Sequence, residues 1–132
     1  MLLVKLKHLD RWNALRRRHA AAYKESLAGS GVQTQQPAPW AEHAWHVYSV
    51  RTPKRDELRS ALAAHRIDAG MHYPIPLHEQ PVLAHLDYGR GAFPVAEAWA
   101  NEQLSLPMFA ELEPHEIKRV AGVVDAWKEA AA

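Results

Sequence analysis

Pro74 and Pro76, one residue apart, forbid a helix or a central strand from running through the middle of this 132-residue chain. Each ring fixes its own φ and biases the residue before it, Tyr73 or Ile75, towards an extended conformation. Other prolines punctuate the rest. Pro37 and Pro39 lie in a glutamine-containing stretch without periodicity, residues 32–42, read as an extended connection or an irregular edge. Pro53, Pro94 and Pro114 suit first helical positions, and Pro107 stops a strand. The chain must therefore be assembled from short elements.

Hydrophobic spacing supplies those elements. Residues 8–28 read as a helix whose stripe is Leu9, Trp12, Ala20, Tyr23 and Leu27, with Leu2 and Leu6 extending it backwards and Gly29-Ser30-Gly31 ending it. Its other face carries Arg11, Arg17, Arg18 and Lys24. That is a solvated face; phosphate binding is the sharper alternative but lacks interleaved aromatics. His43 to Arg51, rich in aromatic and β-branched residues, predicts a buried strand. Thr52 as N-cap and Pro53 predict a helix to about His65, with Asp56 and Glu57 at the positive end of its dipole and Leu58 and Leu62 inward. Ile67 to Tyr73 predicts a second strand, His78 to Leu86 a short helix and Tyr88 to Gly91 a turn. A helix follows from Pro94 to about Gln103, then a strand from Leu104 to Met108. The last helix starts at Glu113-Pro114 with Ile117, Val120, Val124 and Trp127 on one face. The expected class is α+β: a small three-stranded sheet covered on one face by helices, with a long N-terminal helix. A sheet this small buries less than a full domain, so the chain is expected to be part of something larger.

Composition excludes several functions. Sixteen Lys and Arg against fifteen Asp and Glu leave a formal charge of +1, so this is no bulk basic nucleic-acid protein. Hydrophobic residues at 48% and charged ones at 23% argue against wholesale disorder. The absence of cysteine removes disulfides, thiol catalysis and cysteine zinc sites, and suits a reducing cytoplasm. Lys5 and Lys7 interrupt the apolar start too early for an export signal or a membrane span.

The chemistry-bearing cluster is His72-Tyr73-Pro74-Ile75-Pro76-Leu77-His78. Loops held by a rigid scaffold collect sites. Imidazole and phenol suit hydroxyl-bearing ligands. A metal reading lacks a third ligand at convincing spacing, and a packed surface loop remains the plain alternative. No Gly-rich phosphate cradle, nucleophile elbow or H-E-x-x-H motif is present.

The runs KLKHLDRWNALRRRHAAAY (5–23), HAWHVYSVR (43–51), RDELRSAL (55–62), HYPIPLHEQPVL (72–83) and GAFPVAEAWANEQLSLPMFAEL (91–112) stand in an order that resembles the C-terminal portion of the DegT/DnrJ/StrS-type sugar aminotransferases. The resemblance runs from Lys5 to Trp127, and HYPIPLH and LSLPMF are its most specific pieces. It implies the small C-terminal domain of the aspartate-aminotransferase fold, with residues 1–30 as a connecting helix and 31–132 as the small domain. It implies pyridoxal phosphate (PLP) in the complete enzyme and amination of a keto-sugar nucleotide, usually from glutamate. It also makes His72 and Tyr73, then His78, candidate substrate contacts. Trp45, Tyr48, Leu106 and Met108 are expected in the core, and Phe93-Pro94 as a helix entry.

A large cofactor domain precedes this region in such enzymes. None of Lys5, Lys7, Lys24, Lys54, Lys118 and Lys128 lies in anything like the family's serine-rich lysine motif. The expectation is therefore a fragment that holds no cofactor or metal and has no catalytic residue of its own. It would be inactive alone, and would pair with a cofactor domain or self-associate. The alternative is a stand-alone binding or regulatory module, with Arg16, Arg17, Arg18 and Lys24 facing an acidic partner.

Overall fold

Two adjacent strands alternate strictly between apolar and polar residues, and this alternation sets the architecture. A computed structural model describes residues 2–131; Met1, the first residue of the apolar start, lies outside them. Strand β1 is Gln33–Thr34, β2 is Tyr48–Arg51 and β3 is Gln103–Leu106, forming an antiparallel sheet in the order β1-β2-β3. The register pairs Tyr48 with Leu106, Ser49 with Ser105, Val50 with Leu104 and Arg51 with Gln103. Tyr48, Val50, Leu104 and Leu106 point to one face and into the core. Ser49, Arg51, Gln103 and Ser105 fall on the other, as a period of two requires.

The helices are α1 (Leu2–Leu6), α2 (Leu9–Ser26), α3 (Arg55–Ala64), α4 (Pro94–Glu102) and α5 (Pro114–Ala131), and α2, α3 and α5 supply the core against the apolar face. Helices α2 and α3 both pack on α5, and α3 also touches β3. Ala20, Tyr23 and Leu27 of the N-terminal stripe join Leu58, Leu62, Ile117, Val120 and Val124 in one core. Tyr48 and Leu106 are core as expected, while Trp45, Met108 and Trp127 are half-buried against it. Among the described residues, no helix is long and apolar enough to cross a membrane.

Several expectations are corrected. The first helix is two helices, broken at Lys7-His8, and Leu2, Leu6 and Leu9 are exposed rather than packed. The strand expected from His43 begins only at Tyr48. Trp45 takes φ 51° and its N–H donates to the His43 ring at 2.8 Å, which curls the chain before it can extend. Thr52 does not cap a helix opening at Pro53. Its Oγ1 accepts from Lys54 N at 3.3 Å, and α3 begins at Arg55. Residues 67–73 are not a strand: only Gly70 bridges Ser105, with N···O distances of 3.1 and 2.8 Å. The third strand is instead Gln33–Thr34, inside the proline-bearing stretch read as an edge. Residues 77–86 form two 3-10 segments, Leu77–Glu79 and Pro81–Leu86, because Pro81 cannot continue a helix from His78. The strand expected over Leu104–Met108 lies one residue earlier and stops before Pro107. Phe93-Pro94 is the helix entry expected.

Two buried tyrosines stack at 4.9 Å between α2 and the sheet, and they differ in one respect. Tyr23 donates to Pro107 O at 3.0 Å, whereas the Tyr48 hydroxyl has no partner among the described residues. Tyr23→Phe should therefore lower stability by about 0.5–1.5 kcal/mol, while Tyr48→Phe should be neutral or stabilising. Burial pushes the Tyr48 phenol up to about 12; burial, with Tyr48 and Glu116 nearby, also pushes Tyr23 up. An unfolded tyrosine titrates near pH ~10, so this contribution is full below that pH and is lost as pH rises towards the folded values. Denaturant melts from neutral to strongly alkaline pH should show stability falling above about pH 10, with a shallower slope in Tyr48→Phe. An unchanged slope would contradict this assignment.

Candidate functional site

The polar face of the sheet is where the two most specific sequence motifs meet. Ser105 N–H and C=O both bond Gly70, which makes Ser49 and Ser105 a non-hydrogen-bonded cross-strand pair with closely approaching side chains. Their hydroxyls lie 3.2 Å apart. Ser49 N, turned towards β1, donates to Gln35 Oε1 at 2.9 Å. At the end of the face, Arg51 pairs with Glu102 at 2.6 Å and lies over the Trp99 ring at 5.7 Å.

The Gly70 bridge delivers His72 to this face. His72 Nδ1 lies 2.9 Å from Ser105 Oγ. The imidazole lies so close to Gly70 that an added Cβ would sit 3.0 Å from His72 Cε1, so any larger residue there would press on the ring. His72 and Ser105 share a cavity of about 420 Å³ with His46, Asp68, Leu106 and Met108. This polar and titratable lining suits hydrogen bonding to a hydroxylated ligand.

Tyr73 is 72% exposed, and its ring meets the His72 ring edge-on at 5.5 Å. It borders a different hollow, an apolar groove of about 660 Å³ with Ile75, Leu77, Phe93, Val95 and Trp99. The loop thus presents a polar side chain to one side and an aromatic ring to the other.

His78, the third candidate, is turned inward. Its side chain is 7% exposed, its Nε2 lies 3.1 Å from Glu97 Oε1, and its ring packs on Phe93 at 4.8 Å. Glu97 also accepts from Gly91 N at 2.8 and 2.9 Å and from Phe93 N at 3.2 Å. Burial alone would raise the Glu97 carboxyl, but the Phe93 and Gly91 N–H groups and the His78 ring hold it below the usual carboxylate range. His78, Glu79 and Glu97 offer ligand atoms within 4.8 Å of one another, a grouping sequence spacing did not reveal. The Glu97 oxygens are already taken by backbone donors. The arrangement ties the proline loop to the start of α4, and it loosens in acid as Glu97 protonates.

Sequence reading missed Ser105 and Glu97. Ser105 had a signal: a serine alternating with leucines in LSL belongs on the opposite face from them. Glu97 had only its place four residues after Phe93, in the first turn of α4.

Known proteins resemble this chain in sequence and in fold. Residues 1–125 match the DegT/DnrJ/EryC1/StrS aminotransferase family. The chain is 42% identical over 130 residues to the dTDP-3-amino-3,4,6-trideoxy-alpha-D-glucose transaminase of Streptomyces venezuelae, covering 98% of this chain and 34% of that protein. It is 47% identical over 116 residues to the pleiotropic regulatory protein of Geobacillus stearothermophilus, covering 86% of this chain and 31% of that one. Among solved structures, S. venezuelae DesV in complex with a ketimine intermediate superposes with a TM-score of 0.93 at 43% identity, over 97% of this chain and 35% of that one. A Brucella abortus family aminotransferase gives 0.88 at 31% identity, over 96% of this chain and 34% of that one. The chain spans about a third of the length of the relatives it matches. It belongs to the DegT/DnrJ/EryC1/StrS aminotransferase family.

Proposed function

We propose that this chain serves as the C-terminal segment of a PLP-dependent aminotransferase acting on keto-sugar nucleotides. On this reading residues 1–30 connect to the remainder of the enzyme and residues 31–132 form its small domain. His72 and Tyr73 contact the substrate, and His78 holds their loop through Glu97. The observation that carries the reading is the His72–Ser105 hydrogen bond, which closes the HYPIPLH loop onto the LSLPMF strand beside an open cavity. Both motifs belong to the family resemblance, and both end at one place.

The residues present do not fit PLP. The cofactor needs a lysine amine, an acidic partner for the pyridinium nitrogen and phosphate donors. Lys5, Lys7, Lys24, Lys54, Lys118 and Lys128 all lie in helices or beside their ends, and all are exposed. Lys128 donates to Gly29 O, which ties α5 to the turn after α2. No lysine is held in a sheltered hollow beside an acid and a phosphate cradle. Amino transfer on this reading requires a cofactor domain from outside these 132 residues.

The regulatory-module alternative gains nothing from the basic residues of α2. Arg17 pairs with Glu42 at 2.7 Å, and Arg16 bonds Asn13 at 3.3 Å. Arg17 and Lys24 border one hollow, and Arg11 and Arg18 another.

Titrating the 132-residue chain with PLP should give only weak adducts spread over several exposed lysines. A stoichiometric visible band that survives dialysis and maps to one lysine would refute the assignment of cofactor binding elsewhere. The chain should also self-associate. Leu2, Leu3 and Leu6 are 78%, 76% and 57% exposed, and the groove beside Tyr73 is open. Light scattering should show mass rising with concentration, and Leu3→Glu with Leu6→Glu should reduce it. A clean monomer throughout the series would count against the exposed faces being sticky.

In a complete enzyme rebuilt around this segment, His72→Ala and Tyr73→Phe should each lower kcat/KM. Loss of one hydrogen bond costs about 0.5–1.5 kcal/mol, or about 1.5–3 to a charged group, which is about two- to over a hundredfold. Melting should barely move for Tyr73→Phe, because an exposed ring is retained. Near-normal kinetics with a lowered melting temperature would make the loop structural and remove both residues from the site.

A further inference from the structure

We propose that Ser105 is a positioning residue that fixes His72 as the Nδ1–H tautomer, and so presents Nε2 as a hydrogen-bond acceptor to a hydroxyl of a sugar-type ligand. The functional half of this rests on the reading of His72 as a substrate contact; the tautomer itself does not.

The inference comes from counting protons. A serine hydroxyl gives one hydrogen bond and accepts two. Ser105 Oγ has three partners: Gln103 Oε1 at 3.4 Å, Ser49 Oγ at 3.2 Å and His72 Nδ1 at 2.9 Å. With the Gln103 amide oriented so that Oε1 faces Ser105, that oxygen can only accept and the single Ser105 proton goes there. The two lone pairs then accept from the Ser49 hydroxyl and from His72. A neutral imidazole that donates from Nδ1 carries a bare lone pair on Nε2.

The supporting residues are held firmly. Gln103 is fully buried, Ser49 and Ser105 are 4% and 6% exposed, and all three lie on paired strands. The ring itself is confined by the Gly70 backbone on one side and by Tyr73 on another. An unconstrained histidine in water favours the proton on Nε2, so an Nδ1–H ring would be the work of this relay. The consequence is directional. An Nε2 acceptor accepts from hydroxyl or ammonium groups and rejects a bare phosphate or carboxylate oxygen, which offers no proton. This distinguishes the sugar hydroxyls of a nucleotide sugar from its diphosphate.

The test is ring ¹⁵N spectroscopy of the full 132-residue chain labelled at histidine, above the imidazole titration range. His72 is assigned by the signal lost in His72→Gln. The expected ring is protonated at Nδ1 with a bare Nε2. Ser105→Ala should reduce the Nδ1–H to Nε2–H ratio by about two- to tenfold, the worth of one hydrogen bond. Ser105→Thr, which keeps the hydroxyl, should restore it. A role in stability alone would move the melting temperature and leave the ratio unchanged. An Nε2–H ring in the unsubstituted chain would mean that Ser105 gives its proton to the histidine with the Gln103 amide reversed, and would overturn the proposal. So would a ratio indifferent to Ser105→Ala. The first of these needs no variant, so a substitution that fails to fold still leaves the proposal exposed to refutation. Substrate is absent from this readout: failure of the substrate reading appears in the kinetics of His72→Ala, and failure of the relay appears here.

Discussion

The structure depends on the register of β2 against β3. Tyr48, Val50, Leu104 and Leu106 share one face, and Ser49, Arg51, Gln103 and Ser105 share the other. A slip of one residue would exchange the two sets and bury serines under α5. The apolar set anchors the helices: α2 and α3 both reach the sheet through a core completed by Ile117, Val120 and Val124 of α5. The polar set is held largely by hydrogen bonds and an ion pair: Ser49 and Ser105 bond each other, Ser105 also reaches Gln103, and Arg51 pairs with Glu102. One alternation therefore builds both the core and the surface on which His72 rests.

The polar face carries an energetic burden that the apolar face does not. Ser49, Gln103 and Ser105 are buried, and a buried polar group without a partner costs about 1–3 kcal/mol. The serines meet that cost by bonding each other, and Ser105 also reaches Gln103 and His72. Gln103 Nε2 and Arg51 Nε have no partner among the described residues. Valine or leucine at these positions would pack without such a cost but would leave the imidazole with nothing to orient it. Stability is given up on one face to hold a side chain in place, as is common where a fold carries a site.

What could be read in the sequence follows from the range of the forces involved. The last helix was legible because Ile117, Val120 and Val124 recur at helical spacing, and α4 because Pro94 marks its first turn. The strand expected at 67–73 is absent because Ile67 and Ala69 are buried as members of the common core rather than by a ladder; among the described residues only Gly70 pairs. Strand β1 was illegible. Two residues, Gln33 and Thr34, carry no period, and only the edge of β2 makes them a strand. The start of β2 was misjudged because the positive φ of Trp45 depends on where His43 lies, which composition does not encode. At the site, His72 and Tyr73 were identified through resemblance and their unusual loop. Ser105 and Glu97 act at separations of 33 and 19 residues, which no local pattern reports.

The three candidate residues of the proline loop differ because of what lies behind each. His72 is backed by a paired strand, so its orientation is inherited from the sheet. His78 is backed by Glu97, itself fixed by two backbone N–H groups at the mouth of α4, so it holds the far end of the loop. Tyr73 has neither support and projects outward between them. Pinning a loop at both ends lowers the entropy lost when a ligand orders its middle. On the proposed reading the cavity beside His72 takes the hydroxylated part of a ligand, and the apolar groove beside Tyr73 is left open for a surface that the remaining two thirds of such an enzyme would supply. The core closes within these residues, whereas the site is built on one side only. On the proposed reading, folding of the segment and completion of the site are separate events, governed by different faces of the same sheet.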